Sequence, residues 1–345
     1  MSMSLPAAEL VEVAPEEETP RGATWGRYLA LKCGGAAVSL VMVVAVGFFA
    51  FRILPGDPAI SMTRGRRVSA DQVAQLRHQF GLDQPLLTQF WNYLVGLLHG
   101  DLGVSYTYNQ PVSELIATRV GPTLLLTGTA ALISIVLGLW LGQRAAWRRG
   151  SGFDKTTTGV ALVFWSVPTF WLGLILLLVF GGWLQWFPTG GMTTPGGDTS
   201  GLGGVWDVAR HLVLPVTTMV AVVYANYLMV MRASLLEEMS SDYLVTARAK
   251  GLREDVVRRR HAIPNALLPT ITLIFLTIGG LIGGAVTVET VYSWPGLGYL
   301  TFQALTAPDL PLLQGTFVVF SGIVILMNLA AELVYRVIDP RLKAS

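Results

Sequence analysis

An all-α membrane protein with six transmembrane helices and a helical external loop after the first helix is the fold class the sequence predicts. Three observations carry it. Of 345 residues, 52% are hydrophobic and only 13% are charged, against about a quarter charged in soluble domains. Six stretches each hold the roughly 20 apolar residues needed to cross a hydrocarbon core of about 30 Å. Lysine and arginine gather in alternate connections between those stretches, as they do in membrane proteins of fixed orientation.

The spans are expected from Tyr28 to Phe51, Val120 to Gln143, Thr156 to Phe187, His211 to Met231, Leu267 to Val288 and Leu312 to Tyr335. Trp25 and Tyr28 precede the first, and Trp183 and Trp186 close the third, the interfacial belt of membrane helices. Arg144, Arg148, Arg149 and Lys155 follow the second span; seven more basic residues, from Arg232 to Arg260, follow the fourth; Arg336, Arg341 and Lys343 follow the sixth. The loops from Leu184 to Ala209 and from Glu289 to Pro311 have none. Both termini are therefore expected in the cytoplasm of a bacterial cell, with the protein multi-pass in its inner membrane. The division is 1–27 as a disordered cytoplasmic tail, 28–53 as the first helix, 54–119 as the external region, 120–338 as the core with a cytoplasmic loop at 234–266, and 339–345 as a second tail. The early acidic residues Glu9, Glu12 and Glu16 to Glu18 speak against a cleaved secretory signal, which begins basic.

Several classes of function are disfavoured. A formal charge of +2 is too small to argue for nucleic acid, and one cysteine, Cys33, makes no disulfide framework. The four histidines, at positions 78, 99, 211 and 261, lack metal-ligand spacing. No HExxH, GxSxG or GxxxxGK[ST] occurs, so no catalytic residue, metal site or ATP-binding loop is expected in this chain. The span cores lack Asp, Glu, Lys and Arg. A charge at the bilayer centre costs about 2.5–3.5 kcal/mol on the insertion scale and is retained where ion coupling needs it. Power for any solute movement must then come from another chain. The competing classes are a secondary transporter, which would depend on an ion gradient, and a membrane scaffold or enzyme, which would act alone. The pair Gly138 and Gly142, and the glycines from Gly279 to Gly284, suit close helix packing.

The region after the first span is organised. Pro55-Gly56-Asp57-Pro58 is turn chemistry. Ser69 can cap a short helix carrying Val73, Leu76 and Phe80 and ended by Gly81. A second helix, from Pro85 to Gly100, carries Leu86, Phe90, Leu94, Leu97 and Leu98. These pieces either pack on the protein's own outer surface or form a platform for an external partner, and the two are compatible.

Between spans four and five, Ser241 can cap a helix of about nine residues, with Asp242 at its positive end and Lys250 at its negative end. Gly251 permits the left-handed residue that stops it. Tyr243, Ala247 and Gly251 fall on one face at i, i+4 and i+8, small enough to admit another protein's surface, with Tyr243 and Leu252 as apolar grip. Arg258, Arg259, Arg260 and His261 then lead to Ile263 and Pro264. An ordinary basic inside loop is the plain alternative.

The spacing resembles the EAA loop of binding-protein-dependent ABC importer permeases: an alanine, Ala247, four residues before a glycine, Gly251, with Ile263 and Pro264 twelve and thirteen residues after it. Val245 stands where that loop has its glutamate. Phe51 to Pro58, Gly81 to Pro85, Gly100 to Ser105, Gln110 to Val112, Glu289 to Gly298 and Asp339-Pro340-Arg341 resemble motifs of the dipeptide, oligopeptide and nickel permeases, first subunit of the pair. The resemblance implies a type I ABC importer permease fold. It also implies four kinds of partner: a second homologous permease, two ATPase subunits or domains holding ATP and magnesium, an extracytoplasmic solute-binding protein, and lipid. Asp242, Tyr243, Thr246, Ala247, Lys250, Gly251, Leu252, Ile263 and Pro264 would couple to the ATPase. Asp57, Asp101, Glu289, Tyr292 and Trp294 would lie at an external gate or meet the binding protein, with Glu289 either facing a peptide's amino group or serving as a helix-capping or interfacial residue. Peptides are the solute the resemblance favours, with nickel complexes and other small nutrients as alternatives.

Overall fold

A computed structural model describes residues 25–53, 69–79, 81–197 and 200–338. Pro55 to Pro58 (with Asp57), Phe80 and the terminal Asp339-Pro340-Arg341 lie outside these residues. Twelve helical segments follow in order among those described: α1 (Trp25–Ile53), α2 (Ala70–Gln79), α3 (Leu86–Leu98), α4 (Val112–Trp147), α5 (Gly152–Ser166), α6 (Thr169–Trp183), α7 (Gly201–Glu238), α8 (Asp242–Ala249), α9 (Glu254–Ala266), α10 (Leu268–Val291), α11 (Leu297–Thr306) and α12 (Leu310–Ile338). Four of them, α1, α4, α7 and α12, are single helices long and apolar enough to cross a membrane. Two bent pairs, α5 with α6 and α9 with α10, bring the number to six when each pair is one span.

The third span is the largest departure from expectation. A continuous helix from Thr156 to Phe187 is replaced by two helices at 100°. Pro168 is the cause, because its ring disfavours helical geometry in the residue before it, and Val167 is extended at φ −83°, ψ 130°. The second half of α6 widens into a π-helical turn over Leu177–Trp183.

The second and fourth spans begin earlier than their apolar stretches. The first turns of α4 carry Glu114 and Arg119, yet Val112, Leu115 and Ile116 are buried against α11 and α12. Likewise α7 starts at Gly201, and its Asp207 accepts from the Thr194 amide at 2.6 Å and hydroxyl at 2.7 Å. Tertiary contacts, not hydropathy, set both starts. At 36 and 38 residues these helices are about 54 and 57 Å long, well beyond the membrane core.

α4 and α7 form the central seam. A Cβ on Gly138 would sit 2.5 Å from Tyr227 Cβ and 2.6 Å from the Tyr224 carbonyl oxygen. One on Gly142 would sit 2.7 Å from the Leu228 carbonyl oxygen. The two backbones thus touch where the sequence has glycine at i and i+4. Gly279 does the same more loosely on α12, with Val324 Cα 3.6 Å from its notional Cβ. α1 lies against α12, where Lys32 pairs with Glu332 at 3.0 Å. Much of its remaining surface is apolar and exposed, Leu31 and Val38 among it, as a lipid-facing helix requires.

In the connection after α1, Ser69 and Gln72 make a reciprocal cap. Gln72 N donates to Ser69 Oγ at 3.3 Å, and Ser69 N donates to Gln72 Oε1 at 3.0 Å. Gly81 and Gly100, both at positive φ, end α2 and α3. Phe90 and Tyr93 of α3 stack on Phe48 at 5.1 and 5.5 Å. Burial pushes the Tyr93 phenol up to about 12, the Arg52 charge pulling it partly back.

Gly138→Val is expected to destabilise the purified protein by about 1–3 kcal/mol or more through overpacking at the seam. Gly128→Val on the same helix, where no heavy atom lies within 4 Å of the notional Cβ, should leave the thermal midpoint in detergent within a degree or two. Equal midpoints for both variants would refute the tight seam.

Candidate functional site

Two structured regions stand at opposite ends of the bundle. One is the loop that joins α7 to α10. α8 begins after a turn at Met239 and Ser240, with Ser241 in the extended cap conformation. The Ser241 side chain makes no capping bond, contrary to expectation; its carbonyl accepts from Leu244 N at 3.0 Å instead. At the other end Gly251 has φ 78°, and Leu252 N reaches back to the Ala247 carbonyl at 3.3 Å, a left-handed stop.

Leu244 and Ala247 face the protein, not the outside. They are 0% and 7% exposed, packed with Ala146, Met231, Leu235 and Val257. Ala247 therefore closes the middle of the expected Tyr243–Ala247–Gly251 face, while Tyr243 and Gly251 at its ends stay exposed. Tyr243 is a hinge pin between elements. Its hydroxyl meets the Glu238 carboxylate and accepts from Asn265 Nδ2 at 2.9 Å. Burial, then the Glu238 bond, push its phenol above the ordinary value. The outward face is Asp242, Val245, Thr246 and Ala249, at i, i+3, i+4 and i+7, followed by exposed Lys250, Gly251 and Leu252. Ile263 packs partly into the same cluster, and Pro264 is exposed in the first turn of Ile263–Ala266. Arg248 pairs with Glu254 at 2.8 Å, tying α8 to α9.

The second region is the opposite end of α10. Glu289 is fully buried. Its carboxylate accepts from Thr123 Oγ1 at 2.7 Å and from Tyr299 N, in the first turn of α11, at 3.0 Å. Thr123 Oγ1 in turn accepts from Leu297 N at 2.7 Å. Side chains at Gly296 or Gly298 would collide with that carboxylate or with the Val286 backbone. A negative group at a helix N-terminus is favourable, so Glu289 clamps α11 onto α4 and α10. Tyr292 and Trp294 are buried too. The Tyr292 hydroxyl donates to the Gly173 carbonyl at 3.0 Å, and Trp294 Nε1 donates to the Pro122 carbonyl at 2.9 Å. In this structure these three fasten α4, α6, α10 and α11 together, with Glu289 in the helix-capping position that was one of its two expected roles. Asp101 is exposed, and its carboxylate accepts from Gly103 N at 2.8 Å in the turn after α3.

Between the two ends lies a cavity of about 350 Å³ lined by α6, α7 and α10, with Thr169, Met219, Val223, Asn226, Thr277 and Leu281 among its walls. None of its lining side chains is charged. Sequence reasoning missed two groups. Thr123, the partner of Glu289, gives no signal inside an apolar span. Asp154, which accepts a two-pronged bond from Arg232 at 2.7 and 2.9 Å, was visible as the one acid in a basic loop.

With this geometry in hand, comparison with known proteins identifies the family. Residues 134–344 match the family model "Binding-protein-dependent transport system inner membrane component", and residues 26–127 match the model of its N-terminal region. The chain belongs to that family. It is 39% identical over 319 residues to a protein of Brucella suis biovar 1 that bears the name of a peptide permease, covering 90% of this chain and 97% of that one. It is 36% identical to a glutathione transport system permease protein of Salmonella choleraesuis, covering 92% and 98%. It is 35% identical to the dipeptide transport system permease protein of Escherichia coli, covering 90% and 96%. A chain of the MetNI methionine ABC transporter, solved facing inward, shares the fold with a TM-score of 0.53 at 18% identity, over 65% of this chain and 96% of that one. The chain is thus a multi-pass ABC importer permease of type I fold.

Two outcomes follow. Glu289→Ala leaves the Thr123 hydroxyl and the Tyr299 amide without their buried acceptor and should cost about 1–3 kcal/mol for each unpaired donor, read as a lower thermal midpoint with Glu289→Gln in between. Ala247→Asp puts an unpaired carboxylate among Leu235 and Leu244 and should cost about 3 kcal/mol or more, so the protein loses its fold before any docking is tested. A fully stable Ala247→Asp variant would show that the face is open after all.

Proposed function

We propose that the chain is one of two permeases in an ATP-driven importer of di- and oligopeptides. The single observation that carries this is the loop from Glu238 to Ala266. It is a short helix held rigidly to α7 through Leu244 and Ala247, with an uncharged strip, Val245, Thr246 and Ala249, turned outward. Rigid attachment on one side and an accessible strip on the other is what a lever needs. The basic residues around it, Arg248, Lys250, Arg253 and Arg258 to Arg260, support a cytoplasmic position for this end and for both termini.

The partners are a second homologous permease, two ATPase subunits or domains that hold ATP and magnesium, and an extracytoplasmic binding protein. The chain itself performs no chemistry. Closure of the ATPase pair on ATP would displace α8, and α7 would follow because its last turns share one apolar cluster with α8. The cavity then opens to the binding protein, and hydrolysis reverses the movement. Peptide as solute rests on the relatives named above and on cavity walls of methionine, valine, leucine, threonine and asparagine. Such walls reject no side chain by charge, leaving selection to the binding protein.

Thr246→Arg combined with Ala249→Arg places bulk and charge on the outward strip without touching the buried face. ATPase subunits should no longer co-purify with the tagged variant, and uptake of a labelled dipeptide into cells should fall at least about tenfold, while the thermal midpoint of the isolated permease stays unchanged. Uptake at the level of the natural protein would reject the coupling role.

A further inference from the structure

Helix α5 lies along α7, and one buried acid fixes the angle at which it does so. Of its 15 residues only Ala161 and Asp154 are buried. Ala161 sits against Tyr224, Ala225 and Leu228 of α7. Asp154, 3% exposed, takes both prongs of the Arg232 guanidinium, from Nε at 2.7 Å and from the terminal nitrogen at 2.9 Å. The same carboxylate accepts from Gly150 N at 2.9 Å, where Gly150 turns the chain from α4 into α5 at φ 78°. One acid therefore fastens the start of α5, the end of α4 and the last third of α7.

Arg232 lies in the segment of α7 that carries the lever. Its neighbours Met231 and Leu235 are 0% exposed and pack on Leu244 and Ala247 of α8. Beyond the bend at Pro168, α5 continues as α6, whose first residue, Thr169, lines the cavity together with Met219 and Asn226 of α7. Just past the bend, near the start of α6, the Gly173 carbonyl accepts from the Tyr292 hydroxyl at 3.0 Å. The bend thus stands between a polar contact on α5 and another on α6.

We infer that the Asp154–Arg232 pair is the positioning contact that carries a displacement of α8 into the bent third span, and so sets the inner width of the path at Thr169. A planar guanidinium fork fixes angle as well as distance. A rotation of α7 about its axis then drags α5 with it at a fixed angle, which the apolar packing around Ala161 would not by itself fix. This inference rests on the importer reading above.

The test uses the whole transporter, with its second permease, ATPase and binding protein, reconstituted in liposomes with a labelled dipeptide. Asp154→Asn keeps the size and breaks the ion pair. The expected result is an assembled complex that hydrolyses ATP at close to the natural rate, with peptide moved per ATP reduced about tenfold, the scale of a typical coupling energy. Arg232→Lys, which keeps the charge but loses the fork, should fall in between, and it carries the test where Asp154→Asn does not assemble. Ala161→Leu disturbs the α5–α7 contact without touching the pair and should lower the ratio less. An unchanged ratio in Asp154→Asn and Arg232→Lys overturns the inference. So does a parallel loss of hydrolysis and uptake with a lowered thermal midpoint, which marks the pair as structural only, or an equal fall in Ala161→Leu. Uptake by the natural complex that needs no ATP would overturn the importer reading itself.

Discussion

The close approach of α4 and α7 is the constraint on which the rest of the molecule depends. In a bilayer the hydrophobic effect does not drive helices together, because lipid tails are as apolar as leucine. Contact area and packing must do so, and they are greatest where backbones meet. Gly138 and Gly142 admit the Tyr224 and Leu228 carbonyl oxygens to within the radius of a missing methyl group. Fixing that seam fixes the direction of α7, and α7 carries α8 at one end and a wall of the cavity in the middle.

Polar groups are then spent where helices end and turns must be held. Glu289, Thr123 and the first amides of α11 close one end; Asp154, Arg232 and Gly150 close the other. Both carboxylates are buried, and both satisfy several donors at once, which is the condition under which burial of a charged or polar group is tolerated. Between the ends the lining of the cavity is neutral. That division suits a passive path: rigid joints at the rims, with indifferent walls where a solute passes.

The burial of Ala247 reshapes the view of the lever. Small residues at i and i+4 on a helix invite a neighbour's close approach, and for α8 the neighbour is the permease itself. The outer side is left with Val245, Thr246 and Ala249 between charged Asp242 and Lys250 at its ends. The buried side of α8 is packed against three other elements at once: α4, α7 and α9.

Hydropathy and punctuation made most of the architecture legible. The apolar stretches, the caps at Ser69, Gly81, Gly100 and Gly251, and the packing glycines Gly138, Gly142 and Gly279 are local features of composition and backbone preference that the structure keeps, whereas Gly280 and Gly283 meet no neighbour within 4 Å of a notional Cβ. The family motifs lay in plain order along the chain. Other features depended on which surfaces meet. The starts of α4 and α7 were hidden because Glu114, Arg119, Asp207 and Arg210 interrupt the apolar pattern while the helices continue, held by contacts with α11, α12 and the Thr194 turn. The bend at Val167-Pro168 was written in the proline, but its 100° angle is set by what α6 packs against. Whether Ala247 looks outward and whether Glu289 meets a solute were beyond the sequence for one reason. A helix has a defined spacing of faces in one dimension, and only the neighbours in three decide which face is covered.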